Sequence, residues 1–412
     1  MIKINTRPLF KNIEILKFPT FLLPALTASF FLGFPLLFFG CNSQNEQTSS
    51  QKTAQTEKQY SSTKTVIKHA KGFSIEYFDN YKVVRIISPF EKSTDTTKYL
   101  LLQRGTKKPA GFDNQQTIEI PLRSIALTSS MHIGLLSYLN AENTLVGLSS
   151  LQYVFSPKVI SMIDSGRVAE VGKDQGIIEE KIISIHPDLI MTTGSPSSKL
   201  DHYQLLSDAG IPVISNSEWV ENTPLGRAEW VKLMAALLNK EELVNHKFAK
   251  TEAEYERLTK LAAKSKNKPL ILSGLNTKDV WFMPNGNSYM ARFLKDAGAN
   301  FPWQATKDAG SLPLSFESVY PTALKADFWV NVGFDPRDTK NSILSQDNRY
   351  ADFNAFKTGK IYSYNNRTNS RGSNDFFETG NVVPEIVLAD LIHIFHPELL
   401  TDHTLVYYKQ LK

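Results

Sequence analysis

Cysteine is nearly absent from this chain: Cys41 is the only one among 412 residues. Intrachain disulfides are therefore excluded, and cysteine pairing carries no information about compartment. Histidine is scarce as well, with 8 residues and no His-rich loop. That argues against a site gripping a bare zinc or manganese ion with several imidazoles and carboxylates. His393 and His396 have the i, i+3 spacing of two ligands, but they stand at the end of the last helix beside Pro397. A cation there complements the helix dipole, and no metal site is expected. G-x-S-x-G, the P-loop and G-x-G-x-x-G are all missing. Ser130 and His132 are neighbours without an identifiable third catalytic partner. Neither a cofactor nor an enzymatic activity is expected. Excess charge is small too: of the formal +5, Lys3, Arg7, Lys11 and Lys17 against Glu14 hold +3, which leaves +2 for the rest. That bias is too weak to argue for nucleic acid.

What is present fits a globular body. The chain is 42% hydrophobic and 21% charged, and long enough for two lobes of ordinary domain size. Basic residues lead into an apolar run over residues 18–39 that ends Gly40-Cys41. This is the layout of a bacterial lipoprotein signal peptide over residues 1–40, cut before Cys41, which carries the lipid. Phe38 and Phe39 replace the usual leucine and small residue, and Pro19, Pro24 and Pro35 interrupt the run. An uncleaved membrane anchor is therefore the alternative. Residues 41–64 are rich in Ser, Thr and Gln and read as a flexible tether. Residues 65–117 carry short strand patterns around 73–77, 83–87 and 99–102, with Asp79-Asn80 as a turn. They predict a small antiparallel extension.

An N-terminal α/β lobe is expected over residues 118–240. SIALT at 124–128 reads as a buried strand, Ser129-Ser130 as its loop and 133–139 as a helix, with Ser130 as candidate N-cap. Strand, polar loop and helix start form the unit whose loop end builds clefts. Ser130 and His132 are thus either cleft residues or part of a cap. Tyr153 and Phe155 face either a ligand or the core, and Trp219 is either a ligand-facing aromatic or a lid on the core. Trp230, Leu233, Met234, Leu237 and Leu238 place one apolar face on a helix. A long helix over residues 241–266 carries Val244, Phe248, Tyr255, Leu258 and Ala262 in one stripe and leads to a C-terminal α/β lobe over 267–412. In that lobe Asp296-Ala297-Gly298 echoes Asp208-Ala209-Gly210, residues 365–379 form an irregular polar–aromatic loop, and a helix over 384–395 closes the chain.

Two stretches share one plan. Residues 180–193 (EKIISIHPDLIMTT) and 317–332 (ESVYPTALKADFWVNV) each run from an acidic residue through a short helix and a turn to an apolar strand. Placed on either side of a long helix, they resemble the helical-linker (class III) periplasmic binding proteins. Those serve iron-siderophore and cobalamin ABC importers, here in lipoprotein form. The resemblance covers roughly residues 118–400 and implies two similar α/β lobes joined by one long linker helix, with an N-terminal β extension. It implies a bulky ligand in the interlobe cleft, a ferric siderophore first and cobalamin second, delivered to a permease dimer with its ATPase. It further implies a monomer on the extracytoplasmic side, lipid-anchored to the membrane.

By the same resemblance Glu180 and Glu317 dock onto the permease, where two distant charges fix orientation and steer encounter. Each is otherwise a first-turn glutamate complementing a helix dipole. Clefts of the family are lined by aromatic and basic side chains. Trp219, Trp281, Trp303, Arg367 and Arg371 are therefore ligand-binding candidates, beside Ser130, His132 and Tyr153. Core burial or surface ion pairing is the alternative for each, and residues 374–378 are further candidates for the border of the cleft. Readings from other classes are a sensory or structural lipoprotein and a metal-cluster enzyme on the same two-lobed scaffold. Replacing Cys41 by serine separates the two N-terminal readings. A lipoprotein then loses incorporation of labelled palmitate and accumulates as uncleaved precursor, whereas an uncleaved anchor is unchanged in both assays.

Overall fold

A computed structural model describes residues 63–87, 96–113, 115–173, 176–194, 203–333 and 335–412. Cys41, the apolar run before it and nearly all of the expected tether lie outside the described residues. Residues 59–412 cluster as one unit. Among the described residues no helix is long and apolar enough to cross a membrane.

The body begins with a four-stranded sheet, β1 (Phe73–Tyr77), β2 (Tyr81–Ile87), β3 (Thr96–Gln103) and β4 (Gln116–Ile120), in that order. The first two pairings are antiparallel, but β3 and β4 run parallel. The extension therefore reaches Ile120 and is not wholly antiparallel. Residues 116–120 belong to this sheet rather than to the lobe that follows, because Ile118 and Ile120 pair along β3. Phe73, Val84, Tyr99 and Leu101 join the same core as the lobe strands, so the extension is fused to the body.

The N-terminal lobe holds a parallel sheet of β5 (Ile125–Leu127), β6 (Leu145–Ser149), β7 (Ala169–Gly172), β8 (Leu189–Thr192) and β9 (Val213–Ser215). Their spatial order is β7-β6-β5-β8-β9. In the C-terminal lobe β10 (Ile271–Ser273) pairs in parallel with β14 (Phe328–Val330). Single parallel bridges from Leu270 to Asn300 and from Trp329 to Ile361 widen that pair. A meander of β11 (Asn276–Thr277), β12 (Val280–Pro284) and β13 (Ser311–Leu314) follows β10 in the chain. β15 (Tyr362–Ser363) and β16 (Lys409–Gln410) close the lobe.

The repeated motif has a structural reason. In both lobes its aspartate pins the start of the neighbouring parallel strand. Asp188, just before β8, accepts a hydrogen bond from the Arg123 N–H at 2.8 Å, and its own N–H donates to Ser124 Oγ at 3.0 Å. Asp327, just before β14, accepts from the Leu270 N–H at 2.8 Å. A carboxylate satisfying a backbone donor ahead of a strand sets which residues pair, and hence which ends line up.

The helix Glu241–Ala263 spans 23 residues, about 35 Å at 1.5 Å per residue. It buries Val244, Phe248, Thr251, Tyr255, Leu258 and Ala262, spaced at three and four residues for most of its length. Its partners come from every part of the body. Glu241 forms a buried ion pair with Lys82 of β2, whose ammonium also donates to the Ala236 carbonyl at 2.7 Å. Thr251 Oγ1 lies 3.2 Å from the Tyr138 hydroxyl and donates to Glu385 at 3.0 Å. Tyr255 donates to Asp296 at 2.9 Å.

The preceding helix, Val231–Leu238, is buried on all sides rather than along one face. The extension covers the face that would otherwise meet water. Lys232 is buried there because its ammonium donates to Glu229 and to the Val66 carbonyl, both at 2.6 Å. Glu229 also accepts the N–H groups of Lys68, His69 and Ala70 at 2.6 to 3.0 Å. Gly72 passes so close that an added Cβ would lie 2.7 Å from the Trp230 ring. Removing Glu229 strands three backbone donors and one buried ammonium. Glu229→Ala is expected to cost about 3–5 kcal/mol in urea unfolding, with loss of protease resistance around residues 66–72.

Candidate functional site

Ligands in open α/β sheets sit outside the carboxyl ends of the strands, where the strand order reverses. In the N-terminal lobe that point is β5, flanked by β6 on one side and β8 on the other. The described residues just after β5, β6, β8 and β9 therefore frame the site, and residues 369–378, after β15, meet the segment after β6.

On the β6 flank the lobes are fastened together. The carboxylate of Glu378, only 2% exposed, accepts the N–H groups of Phe155 and Ser156 at 2.7 and 3.0 Å. Ser373 Oγ donates to the Gln152 carbonyl at 2.7 Å and Asn369 Nδ2 to the Val154 carbonyl at 2.9 Å. A Cβ on Gly134 would fall 2.0 Å from the Glu378 carbonyl oxygen, so only glycine lets the helix Met131–Tyr138 approach this segment. Burial pushes the Glu378 carboxyl up to about 7; the Phe155 and Ser156 N–H groups oppose that shift and Asp375 adds to it. Arg367 donates to Asp375 at 2.6 Å and lies over the Phe155 ring, 5.4 Å from its centroid. Arg371 reaches Asp164 at 2.8 Å. Both arginines thus hold carboxylates, and Arg371 does so across the lobes. Tyr153 stays 55% exposed beside them in sequence.

The β9 flank is built from stacked planes. The Arg227 guanidinium lies 3.5 Å from the centroid of Tyr289 in the other lobe. It also donates to the Trp219 carbonyl at 2.6 Å. Trp219 is 42% exposed, yet its indole N–H is anchored to the Thr193 carbonyl, just beyond β8, at 2.8 Å. The ring is held still at the carboxyl ends of the strands while much of its surface remains open.

Between the flanks lies the loop after β5. Ser130 does not cap the helix that starts at Met131: its backbone is already helical, and it makes no capping hydrogen bond. Ser129 Oγ instead accepts from the Met131 N–H at 3.3 Å. His132 is 1% exposed and lies 3.9 Å from Glu218, itself in the turn after β9.

Trp281 does not line this opening. It is fully buried against Trp329, Tyr350 and Phe353, with its indole N–H on the Ser273 carbonyl at 2.8 Å. Alternation along β12 turns the next residue outward: Phe282 is 52% exposed, with its backbone carbonyl against Gly274 at the end of β10. Trp303 is half-buried against Phe301, their rings 5.6 Å apart. A cavity of about 530 Å³ in the C-terminal lobe is lined by Leu275, Asn276, Gly333, Asp335, Arg349 and Tyr350, among others. It lies next to Glu317, which is largely exposed and 3.6 Å from Arg349. Glu180 is also exposed and occupies the matching place, the first turn of the helix before β8, as Glu317 does before β14. His393 and His396 are engaged locally, by the Leu400 carbonyl at 2.9 Å and by Ser265 at 3.2 Å. Glu218, Arg227 and Tyr289 escaped the sequence reading because nothing local separates them from surface residues.

A sequence model of the periplasmic binding protein family matches residues 128–368. The chain belongs to the periplasmic binding protein family. Its helical-linker architecture is that of class III members, and the family supplies the substrate-binding components of ABC transporters. Two uncharacterised lipoproteins of Methanocaldococcus jannaschii are similar along nearly the whole length. One is 26% identical over 87% of this chain and 89% of its own; the other is 25% identical over 92% and 97%. Among solved structures, the molybdate periplasmic binding protein of Haemophilus influenzae is 17% identical, with a TM-score of 0.54 over 71% of this chain and 92% of its own. The periplasmic heme binding protein of Vibrio cholerae is 16% identical, with a TM-score of 0.53 over 66% and 99%. At these identities the two structures speak for the fold.

The buried carboxyl at the lobe junction yields a pH prediction. A folded value near 7 against an ordinary 4.5 means that the contribution of Glu378 is fully present below pH 4.5 and is lost as pH rises through 7. Glu218, also raised to about 7, acts with the same sign. His132, lowered to about 4 from 6.5, acts in the opposite sense: stability rises as pH climbs from 4 to 6.5. Comparison with Glu378→Gln isolates one group. The difference in unfolding free energy, wild type minus variant, should fall by roughly 1.4 kcal/mol per pH unit between pH 5 and 6.5. A flat difference across that range would refute the assignment.

Proposed function

We propose that this protein is an extracytoplasmic lipoprotein receptor that captures a ferric siderophore between its lobes and delivers it to an ABC permease. It acts by binding rather than by catalysis, and as a monomer. The observation that carries this reading is the fixed, open face of Trp219 beside the Arg227–Tyr289 stack at the strand ends. An aromatic plane next to a guanidinium suits a ligand with flat apolar faces and negative charge, as a ferric catecholate or hydroxamate has. The lipoprotein names of the two Methanocaldococcus relatives support the anchor at Cys41. Cobalamin is the second reading. It is favoured by the pairing of Arg367 and Arg371 with carboxylates beside the exposed rings of Tyr153 and Phe377. In that case a neutral aromatic surface meets a corrinoid.

Glu180 and Glu317 are proposed as the permease contacts, one on each lobe at matching positions. Two experiments test the scheme. In the first, tryptophan fluorescence is followed while a ferric hydroxamate, a ferric catecholate or cyanocobalamin is added, with calorimetric confirmation. Saturable binding of one ferric chelate is expected, weakened roughly tenfold or more in Trp219→Ala, equivalent to about 1.4 kcal/mol. Binding of cyanocobalamin alone selects the second reading, and failure of all three removes both. In the second, Glu180→Ala combined with Glu317→Ala should abolish cellular uptake of the bound ligand and leave its Kd unchanged. Normal uptake by that double variant sinks the docking assignment.

A further inference from the structure

The β extension carries an aromatic surface that the body's cores do not use. Along β1 and one residue beyond, side chains alternate: Phe73 and Ile75 pack into the core, whereas Ser74, Glu76 and Phe78 are exposed on the other face. Phe78 keeps 46% of its surface open. It stacks on Tyr81 across the turn, with ring centroids 4.4 Å apart and planes 9° from parallel. Tyr81 in turn meets the edge of Phe112 at 5.6 Å. Because β3 and β4 run parallel, the chain between them has to cross back over one face of the sheet. The Phe112–Tyr81 contact puts that crossing on the outer face. It carries Lys107, Lys108 and Ala110, all exposed. None of the three rings belongs to either apolar core of the described residues.

The body starts next to this surface. The Lys64 carbonyl accepts from Asn245 at 2.9 Å, and the backbone of Thr65 lies against the hydroxyl of Tyr77, the residue before Phe78. From Cys41 to Thr63 there are 22 peptide steps, a reach of at most about 75 Å. A body held that close meets its membrane at high effective concentration, so a contact too weak to hold a free protein is still populated. The surface lies at the amino-end edge of the first lobe: Arg104, where the crossing starts, donates at 3.0 Å to Asp188 just before β8. Glu180 stands at the other edge, in the first turn of the helix that runs back to β8.

We propose that this aromatic surface of the extension rests on the lipid bilayer to which the chain is anchored, with Phe78 and residues 105–112 at the boundary between headgroups and acyl chains. The inference rests on the anchored reading given above. Aromatic rings, above all those with a polar end such as Tyr81, favour that boundary. Lipid charge is not the attraction: exposed Asp79 and Asp113 match Lys107 and Lys108 in number. The contact is therefore apolar and is retained in salt. Since Glu180 is at the opposite edge, this is a resting contact, released when the body turns onto the permease. A patch of three rings is reversible in that way, unlike an inserted helix.

The test reconstitutes the full chain in phosphatidylcholine vesicles. Hydrogen exchange is followed by mass spectrometry before and after cutting a protease site inserted between Gln55 and Thr56. Amides of residues 78–82 and 105–113 should exchange roughly threefold more slowly, or slower still, while tethered than after release. The slowing should be the same at low and high salt, with residues 322–326 unchanged. Phe78→Ser, at an exposed position, should abolish the difference while circular dichroism is unaltered; the wild-type comparison decides alone should that variant not fold. No difference on release, or an equal slowing in residues 322–326, overturns the proposal. Slowing that grows with the density of protein on the vesicle marks contact with a second copy and overturns it as well. A chain that does not stay with the vesicles refutes the anchored reading only. Cys41 is then coupled to a maleimide phospholipid, and the same comparison decides the surface.

Discussion

The long helix Glu241–Ala263 is the constraint on which the rest of the body depends. A helix of this length is stiff, and its buried residues are claimed by different parts of the chain. Glu241 meets the β extension through Lys82, Thr251 meets Tyr138 of the first lobe, and Tyr255 and Thr251 meet Asp296 and Glu385 of the second. Because these contacts are polar and directional inside an apolar stripe, they set the rotation of the helix as well as its depth. Burial alone would tolerate slippage along the axis; a buried lysine paired with a buried glutamate does not, since each charge stranded by a shift is expensive.

A second constraint sets the direction of the cleft. Asp188 and Asp327 each hold the backbone at the start of an adjacent strand, so β5 aligns with β8 and β10 with β14. Parallel alignment puts all the carboxyl ends of a sheet on one edge. The contacts across the lobes then gather at those edges: Glu378 on the Phe155 and Ser156 amides at one flank, and Arg227 on Tyr289 at the other. One flank is a buried carboxyl whose proton affinity is raised by desolvation, and the other is a stack of planar groups near the surface. The two flanks should respond differently to pH and salt, because burial governs the first and partial solvation the second.

The extension does more than decorate the first lobe. By feeding the amides of residues 68–72 into Glu229 and Glu221, it turns the helix Val231–Leu238 from a surface element into an interior one. The buried carboxylates take donors that no strand partner satisfies. Lys232 at an interior helical position becomes intelligible only with the extension in place, since its charge is matched by Glu229.

What the sequence determined by itself were the features written in local order. The stripe of Val244, Phe248, Tyr255, Leu258 and Ala262 specifies one long helix, and the paired plan at 180–193 and 317–332 specifies two related lobes. Side-chain periodicity and turn chemistry act over a few residues and are legible wherever those residues are adjacent. The tertiary structure alone decided which polar and aromatic residues face the cleft. Trp281 and Phe282 are neighbours, yet the pleat of β12 buries one and exposes the other. Arg367 and Arg371 were legible as cations in a loop, but their carboxylate partners Asp375 and Asp164 come from packing and take up charge that sequence reasoning assigned to a ligand. His132 and Glu218 are far apart in the chain and meet only because β5 and β9 belong to one sheet with their carboxyl ends on one edge. Burial and long-range pairing are properties of the assembled layers, and no local pattern encodes which distant side chain will stand opposite.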